Sequence, residues 1–340
     1  MRDGPFADPD FASLPPTGWT LLVQDVDKWD VDVRALLDHF EFLPNWRIDD
    51  VMVSYAVEGG SVGPHIDQYD VFLLQGLGQR RWHVAANGAE ENSADRHGSR
   101  RDEPSSSLDT ELKLLREFRP THEWTLDTGD MLYLPPGIAH WGIARSACMT
   151  YSIGMRAPSQ AELLIAFADT IAEKLAESER LIDPDLMPAR RHGEIDDAAI
   201  ARVAQAMPWL RVEEAGIGVF DLRRWFGRFI TRYRCAHLAT ARATPLTDAA
   251  FARLARSKVQ LRRNPWSRFA WVKRERGALL FVAGGEYACS THLARLLCEK
   301  MEFALTTISS ESDRQPLRAL IDAGHLVPSR VRTNRQRKKA

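Results

Sequence analysis

His65 and Asp67, in the run Gly63-Pro64-His65-Ile66-Asp67, and a distant His140 set behind Pro135-Pro136-Gly137 are the residues of this chain best suited to hold a metal ion. On an extended strand residues i and i+2 point the same way, so His65 and Asp67 are expected to project together into whatever that strand encloses. Two imidazoles and a carboxylate on one face of a metal make the facial triad of non-haem Fe(II) oxygenases. That arrangement leaves the opposite face open to a co-substrate and dioxygen. A bare His-x-Asp is common, and an isolated histidine is more often an ordinary loop residue, so the assignment depends on its neighbours.

Four neighbours favour it. A turn, a strand and a rigid Pro-Pro-Gly bend (Gly129 to Gly137) can return His140 to the mouth of a barrel beside His65. Arg80 lies fifteen residues past His65 and one strand on. An arginine facing into a barrel needs a carboxylate, because a buried unpaired charge is costly. The distal carboxylate of 2-oxoglutarate would supply one. In the pair Arg80-Arg81 strand parity decides which side chain faces in, and the other reading of Arg80 is a surface residue. Ser54, a hydroxyl in an otherwise apolar strand, could donate to the same carboxylate or simply face solvent. Gly63-Pro64 shapes the entry to His65. Trp82, Tyr69 and Trp141 are candidates for lining a substrate cleft, although aromatic rings at strand spacing usually serve as core.

The elements that must position these residues read as strands up to about residue 157. Val51-Met52-Val53-Ser54-Tyr55-Ala56-Val57 is β-branched and aromatic and breaks at Gly59-Gly60. Strand signals recur at His65–Asp67, Val71–Leu74, Arg80–Val84, Glu123–Leu126, Met131–Leu134 and Cys148–Met155, with a polar surface loop from Asn87 to about Ser107. Many short strands with Gly, Pro and Asp turns indicate a jelly roll of the cupin type. From Ser159, a plausible N-cap, the period becomes helical through Leu175. Helices follow at about Asp196–Met207 and Asp221–Tyr233. Beyond Ala236, helices near Thr247–Arg256, Thr291–Met301 and Pro316–Ala323, with strands around Ala278–Ala283, suggest a winged-helix-like module. Four segments result: a catalytic β domain at 1–157, a helical region at 158–235, a winged-helix-like domain at 236–328 and a basic tail at 329–340.

Composition bounds the rest. The 340 residues are 44% hydrophobic and 27% charged, a globular balance with no apolar run of membrane-spanning length and no signal-peptide pattern at the start. Four cysteines without a CxxC pair read as free thiols of a reducing compartment, which places the protein in the cytoplasm. Net charge is −1; setting aside six basic residues of the tail leaves −7 for the remainder. Such a tail can add weak, salt-sensitive attraction to RNA, or be a solvated end. No basic recognition helix precedes it, which favours protein contact over DNA for the winged helix.

The run Gly63-Pro64-His65-Ile66-Asp67-Gln68-Tyr69-Asp70-Val71-Phe72-Leu73-Leu74-Gln75-Gly76 with Arg80-Arg81-Trp82 resembles the JmjC ribosomal oxygenases. Trp46–Asp50, Leu134-Pro135-Pro136-Gly137 through His140, Tyr151–Pro158 and Trp225–Ile230 carry the same likeness, dense from Gly4 to Pro158 and weak after Ala236. The resemblance implies a double-stranded β-helix core, a helical dimerisation region and a C-terminal winged helix. It implies that His65, Asp67 and His140 hold Fe(II), that Arg80 and Ser54 hold 2-oxoglutarate, and that dioxygen is consumed. The implied substrate is a ribosomal protein, with β-hydroxylation of an arginine in large-subunit ribosomal protein sixteen. The implied assembly is a homodimer. Two departures bear on substrate reach: family members usually carry some tens of residues before the counterpart of Gly4, and the loop after Asn87 is longer and more polar than expected. Histidine hydroxylation, demethylation, or a non-catalytic cupin beside a nucleic-acid-binding winged helix remain as alternatives.

Overall fold

The structure is a computed structural model that describes residues 2–85, 113–115, 117–176, 178, 180–182, 197–205, 219–257, 259–308 and 310–329. The expected polar loop at residues 87–107 and all but Ser329 of the expected tail lie outside the described residues. Two compact units result, Met1–Ala157 and Pro158–Ala340.

In the first unit the short helices α1 (Asp8–Ala12), α2 (Val26–Trp29) and α3 (Val31–Leu36) accompany ten strands. These are β1 (Thr20–Val23), β2 (Ile48–Ala56), β3 (His65–Ile66), β4 (Val71–Leu77), β5 (Arg80–Ala85), β6 (Lys113–Leu114), β7 (His122–Leu126), β8 (Met131–Leu134), β9 (Ala139–Ala144) and β10 (Cys148–Met155). They build two five-stranded sheets of order β1-β2-β10-β4-β8 and β6-β3-β9-β5-β7. Every pairing is antiparallel. From β3 onward the chain passes repeatedly between the sheets, which is the expected cupin-type double-stranded β-helix.

Period-two alternation decides what the sheets enclose. Val71, Leu73 and Leu134 of one sheet pack with Trp82, Val84 and Leu126 of the other, and Ala56 and Cys148 meet Ala144. The opposite face of the first sheet buries Val51, Ile153 and Met155 against Val33, Leu37 and Phe40, so α3 and the turn after it cover that face. Asp30 caps α3, accepting from the backbone N–H of Asp32 at 2.8 Å and Val33 at 3.0 Å. Buried Asp27 of α2 accepts the Val51 N–H at 3.0 Å and pairs with Lys28, tying this layer to β2. On β9, a Cβ at Gly142 would lie 2.7 Å from the Trp82 ring, so only glycine lets the indole cross that strand.

The second unit holds α4 (Gln160–Ala172), α5 (Asp197–Gln205), α6 (Val219–Thr231), α7 (Asp248–Arg256), α8 (Thr291–Glu299) and α9 (Arg314–Asp322). Ser159 caps α4 in a full capping box: its hydroxyl accepts from Glu162 N at 3.1 Å while Glu162 accepts from Ser159 N at 2.6 Å. Strands β11 (Gln260–Arg263), β12 (Phe269–Lys273), β13 (Ala278–Val282), β14 (Gly285–Cys289), β15 (Glu302–Ala304) and β16 (Leu326–Pro328) form two three-stranded sheets, β15-β11-β16 and β12-β13-β14. Leu280 and Val282 of β13 share a core with Leu293 and Leu297 of α8 and Leu317, Leu320 and Ile321 of α9. Its other face presents Phe281, fully buried, to Gly227 of α6. This is the expected winged helix. All four cysteines are free thiols, and burial pushes Cys289 up to about 12. Among the described residues no helix is long and apolar enough to cross a membrane.

Gly227→Ala tests this packing, because two effects oppose each other. Helix propensity alone would stabilise α6 by up to about 1 kcal/mol. The added methyl, however, enters the ring of a fully buried Phe281 with no room to move. Overpacking of this kind costs about 1–3 kcal/mol, so net destabilisation is expected in urea unfolding.

Candidate metal centre

The centre is assembled by one cross-strand pair. In the antiparallel β3–β9 ladder His65 stands directly opposite His140, with ring centroids 4.2 Å apart. β3 ends at Ile66, so strand alternation alone does not place Asp67, contrary to the expectation from spacing. The bend before β9 holds it instead: the Gly137 N–H donates to Asp67 O at 2.8 Å, with Gly137 in the left-handed region at φ +82°. Asp67 Oδ2 then lies 3.6 Å from His140 Nε2. One potential ligand atom from each of His65, Asp67 and His140 falls within 4.8 Å of the others, the one such acid–imidazole group among the described residues.

Both imidazoles are set in the same tautomer. Nδ1 of His65 lies 2.9 Å from the Gly63 carbonyl, and Nδ1 of His140 lies 2.9 Å from the Ile138 carbonyl. A carbonyl oxygen can only accept, so each Nδ1 carries the proton and each Nε2 keeps its lone pair. Burial, reinforced by the neighbouring His65, lowers the His140 pKa from 6.5 to about 4. At neutral pH His140 is therefore the uncharged form that a metal requires. The donor set of two imidazoles and one carboxylate fits Fe(II).

Arg80 settles the parity question: it is 5% exposed and on the inward row of β5 with Trp82 and Val84. Val84 stands opposite His140 and Arg80 opposite Ala144, so Arg80 shares the face that carries His140. Its guanidinium carbon is 5.8 Å from the Trp82 ring centroid, and that ring is 5.8 Å from His140. Nε and Nη2 of Arg80 and Nε1 of Trp82 are buried donors without a hydrogen-bond partner among the described residues. A buried cation in that state is a site for an anion. Ser54 is 3% exposed, inside rather than at the surface, with its hydroxyl 3.5 Å from Thr150 O.

Sequence reasoning misses three residues here. Thr150 and Gln75 extend the row begun by Ser54 across β10 and β4 and are 1% and 0% exposed. Thr150 Oγ1 donates to Gln75 Oε1 at 3.0 Å, and Gln75 Nε2 donates to Leu77 O at 2.8 Å. The inward parity of Cys148-Thr150-Ser152 is the signal that could have found Thr150. Asp70 is a third omission: Tyr133 donates to it at 2.6 Å and Arg47 pairs with it at 3.2 Å, bracing the loop that follows Asp67. Of the aromatic candidates, Trp82 is interior. Trp141 alternates away from His140, its Nε1 donating to Ser61 Oγ at 2.8 Å, and Tyr69 packs at the border of the core that holds Trp82.

Comparison with known proteins places these features in context. Residues 35–163 match the JmjC domain, and residues 221–327 match the ROXA-like winged helix. The ribosomal protein uL16 3-hydroxylase of Escherichia coli is 37% identical over 234 residues, 69% of this chain and 57% of that protein. A probable ribosomal oxygenase of Haemophilus influenzae is 40% identical over 164 residues, 47% of this chain and 37% of its own length. The aligned region thus spans about half the length of these curated relatives or less. The crystal structure of E. coli YcfD superposes with a TM-score of 0.76 at 28% identity, covering 96% of this chain and 82% of that one. YcfD in complex with cobalt and 2-oxoglutarate gives a TM-score of 0.74, also at 28% identity, with the same coverage.

The lowered pKa of His140 has a measurable consequence. The unfolded chain binds a proton near pH 6.5 and the folded, metal-free protein only near 4, so stability present above 6.5 is lost as pH falls through that window. At pH 5 the contribution lost is about 2 kcal/mol. Urea unfolding of metal-free protein at pH 7 and pH 5 should show it, and His140→Asn should remove that part of the pH dependence.

Proposed function

We propose, from the match of residues 35–163 to the JmjC domain and of residues 221–327 to the ROXA-like winged helix, that the chain is an Fe(II)- and 2-oxoglutarate-dependent protein hydroxylase of the JmjC type acting on a ribosomal protein. The substrate that fits best is an arginine of large-subunit ribosomal protein sixteen, hydroxylated at its β-carbon. The observation that carries the reading is the buried, unpartnered Arg80 on the same face as His65 and His140. A cupin that bound only a structural metal would have no use for an interior cation awaiting an anion. The relative named for uL16 3-hydroxylation supports the choice of substrate.

His65, Asp67 and His140 would hold the iron, Nε2 of each imidazole facing it because Nδ1 is committed to a backbone carbonyl. Iron, with 2-oxoglutarate and dioxygen, supplies the oxidation of an unactivated C–H bond, the co-substrate leaving as succinate and carbon dioxide. Arg80 would pair with the distal carboxylate of 2-oxoglutarate and Ser54 would donate to it, and the buried, unpartnered Trp82 indole N–H would be a further donor in the same interior. The co-substrate would thereby be fixed at both ends. Val71, Leu73, Val84 and Leu134 wall the same interior with apolar surface, which limits water and strengthens each polar contact.

The domain reading follows as part of the proposal: catalytic domain at 1–157, helical dimerisation region at 158–235, winged helix at 236–328 and basic tail at 329–340. A homodimer through the helical region is supported by Leu164, 68% exposed, and Ile165, 62% exposed, on α4, with Leu222, 48% exposed, on α6. Four free thiols support a cytoplasmic location. The tail would add weak contact to RNA.

His65→Ala should abolish substrate-dependent succinate release while the melting curve keeps its cooperativity; unchanged turnover would sink the metal assignment. Arg80→Met should raise the melting temperature of the metal-free protein by removing a buried charge. The same change should erase thermal stabilisation by 2-oxoglutarate with Mn(II) and raise KM for the co-substrate about a hundredfold, as loss of a buried charge-assisted pair implies. Intact-mass comparison of ribosomal proteins from cells with and without the gene should show a gain of one oxygen on one protein; a full set of unshifted masses would refute the substrate.

A further inference from the structure

Charge is divided along this chain. Residues 1–218 carry 20 Lys and Arg against 37 Asp and Glu, whereas residues 219–329 carry 19 against 9, before the basic tail begins. An asymmetry of this size between two parts of one chain points to a polyanionic partner for the basic part.

The structure sets part of the excess along α6 and part at a hairpin tip of the winged helix. Arg224 and Arg228 of α6 and Arg232 just beyond it follow at i, i+4 and i+8, about 6 Å per step along one helix face, and all three are exposed. They run beside the β13–β14 turn: Arg228 Nε donates to Gly284 O at 3.3 Å, and a Cβ at Gly284 would lie 3.0 Å from Arg232 Cγ. At the other end of β13 from Gly284, the tip of the β12–β13 hairpin carries exposed Lys273, Arg274 and Arg276. It is linked to the stripe through Glu286, on which Arg274 acts together with Arg224 and Arg228. Arg224 pairs with Glu286, whose carboxyl is held below its ordinary range by that hydrogen bond and by the charges of Arg224, Arg228 and Arg274. Six cations thus stand against Glu286, the acid that three of them share, with Glu275 the one acid within the hairpin-tip run Lys273–Arg276. A surface whose charge is only solubilising interleaves both signs. The sequence pattern hides this patch, because α6 groups by periodicity with the preceding helices while its arginines face the hairpins of the winged helix.

We propose that the Arg224–Arg228–Arg232 stripe and the Lys273–Arg276 hairpin tip form a binding site for the phosphate backbone of structured RNA. The assignment of a polyanion site stands on charge and geometry; the choice of RNA rests on the ribosomal reading above. Guanidinium groups stepping along a helix can each take a phosphate, and the hairpin tip can take a further one, so binding should be tolerant of sequence and sensitive to salt.

Fluorescence anisotropy of the full chain with a labelled RNA hairpin, from 50 to 200 mM KCl, tests it. Log K should fall against log salt with a slope of about −3 to −4, as four neutralised phosphates imply. Arg232→Glu with Arg276→Glu should weaken binding at least tenfold and flatten the slope by about 2, with an unchanged melting curve. Arg253→Glu with Arg295→Glu makes the same change in net charge on α7 and α8, whose core contacts lie on the opposite face of β13, and should leave binding nearly intact. An equal loss from that control overturns the proposal. So does binding that survives the stripe variant but disappears when the six basic tail residues become Gln. Stripe-dependent binding to anionic phospholipid vesicles that RNA fails to compete away would also overturn it. Succinate release on isolated ribosomal protein should be unchanged in the stripe variant, so failure here and failure of the hydroxylase reading are told apart.

Discussion

The two-residue pairing of β3 with β9 is the constraint on which the first unit depends. Because His65 faces His140 across it, and because β9 continues against β5, the same register that brings the imidazoles together puts Arg80 on their face. A slip of one residue would turn His140, Arg80 and Trp82 outward together, since side chains alternate with a period of two. So short a strand as β3 cannot hold that register alone. Gly137 holds one end through its bond to the Asp67 carbonyl, and Trp82 lying across Gly142 holds the other. Ligand geometry is thus a by-product of packing several residues away.

Energetically the barrel carries an imbalance. Among the described residues its interior presents donors from Arg80 and Trp82 without matching acceptors, while Ser54, Thr150 and Gln75 largely satisfy one another or the backbone. An unpaired interior charge costs several kcal/mol, as much as a large share of a domain's net stability. The apolar clusters on both faces of the first sheet must offset it in the ligand-free protein. An anion that fills the pocket removes the penalty as it binds, so affinity for such an anion and stability of the fold draw on the same residue.

Much of this is legible in the amino-acid sequence. His65, Asp67 and His140 stand out because residues able to hold a metal are chemically distinctive, and Ser159 is recognisable as a cap because its partner Glu162 sits three residues on. Parity is harder. Arg80 and Arg81 look alike in sequence, and only pairing with β9 shows which is interior; the same rule separates Trp82 from Trp141. Thr150 and Gln75 escape notice because a polar residue in a strand signals solvent unless its row is known. In the second unit β11 offers one apolar residue among Gln260, Leu261, Arg262 and Arg263, and β15 and β16 have three residues each. Such strands exist because long-range partners meet, a cause that local pattern does not carry.

The uneven charge of the chain acts through neighbourhoods rather than as one dipole. At physiological salt exposed charges are screened beyond about 8 Å, so the acidic excess before residue 219 and the basic excess after it each act on what lies within a few ångströms. A basic ribosomal protein, the proposed substrate, would be drawn to the acidic part and a phosphate backbone repelled from it. The arginine stripe beside Gly284 has the reverse preference. Each contact would thus be governed by the charge of its own part of the chain. The proposed pairing of a basic protein with the acidic part and of RNA with the arginine stripe would match each partner to charge of the opposite sign.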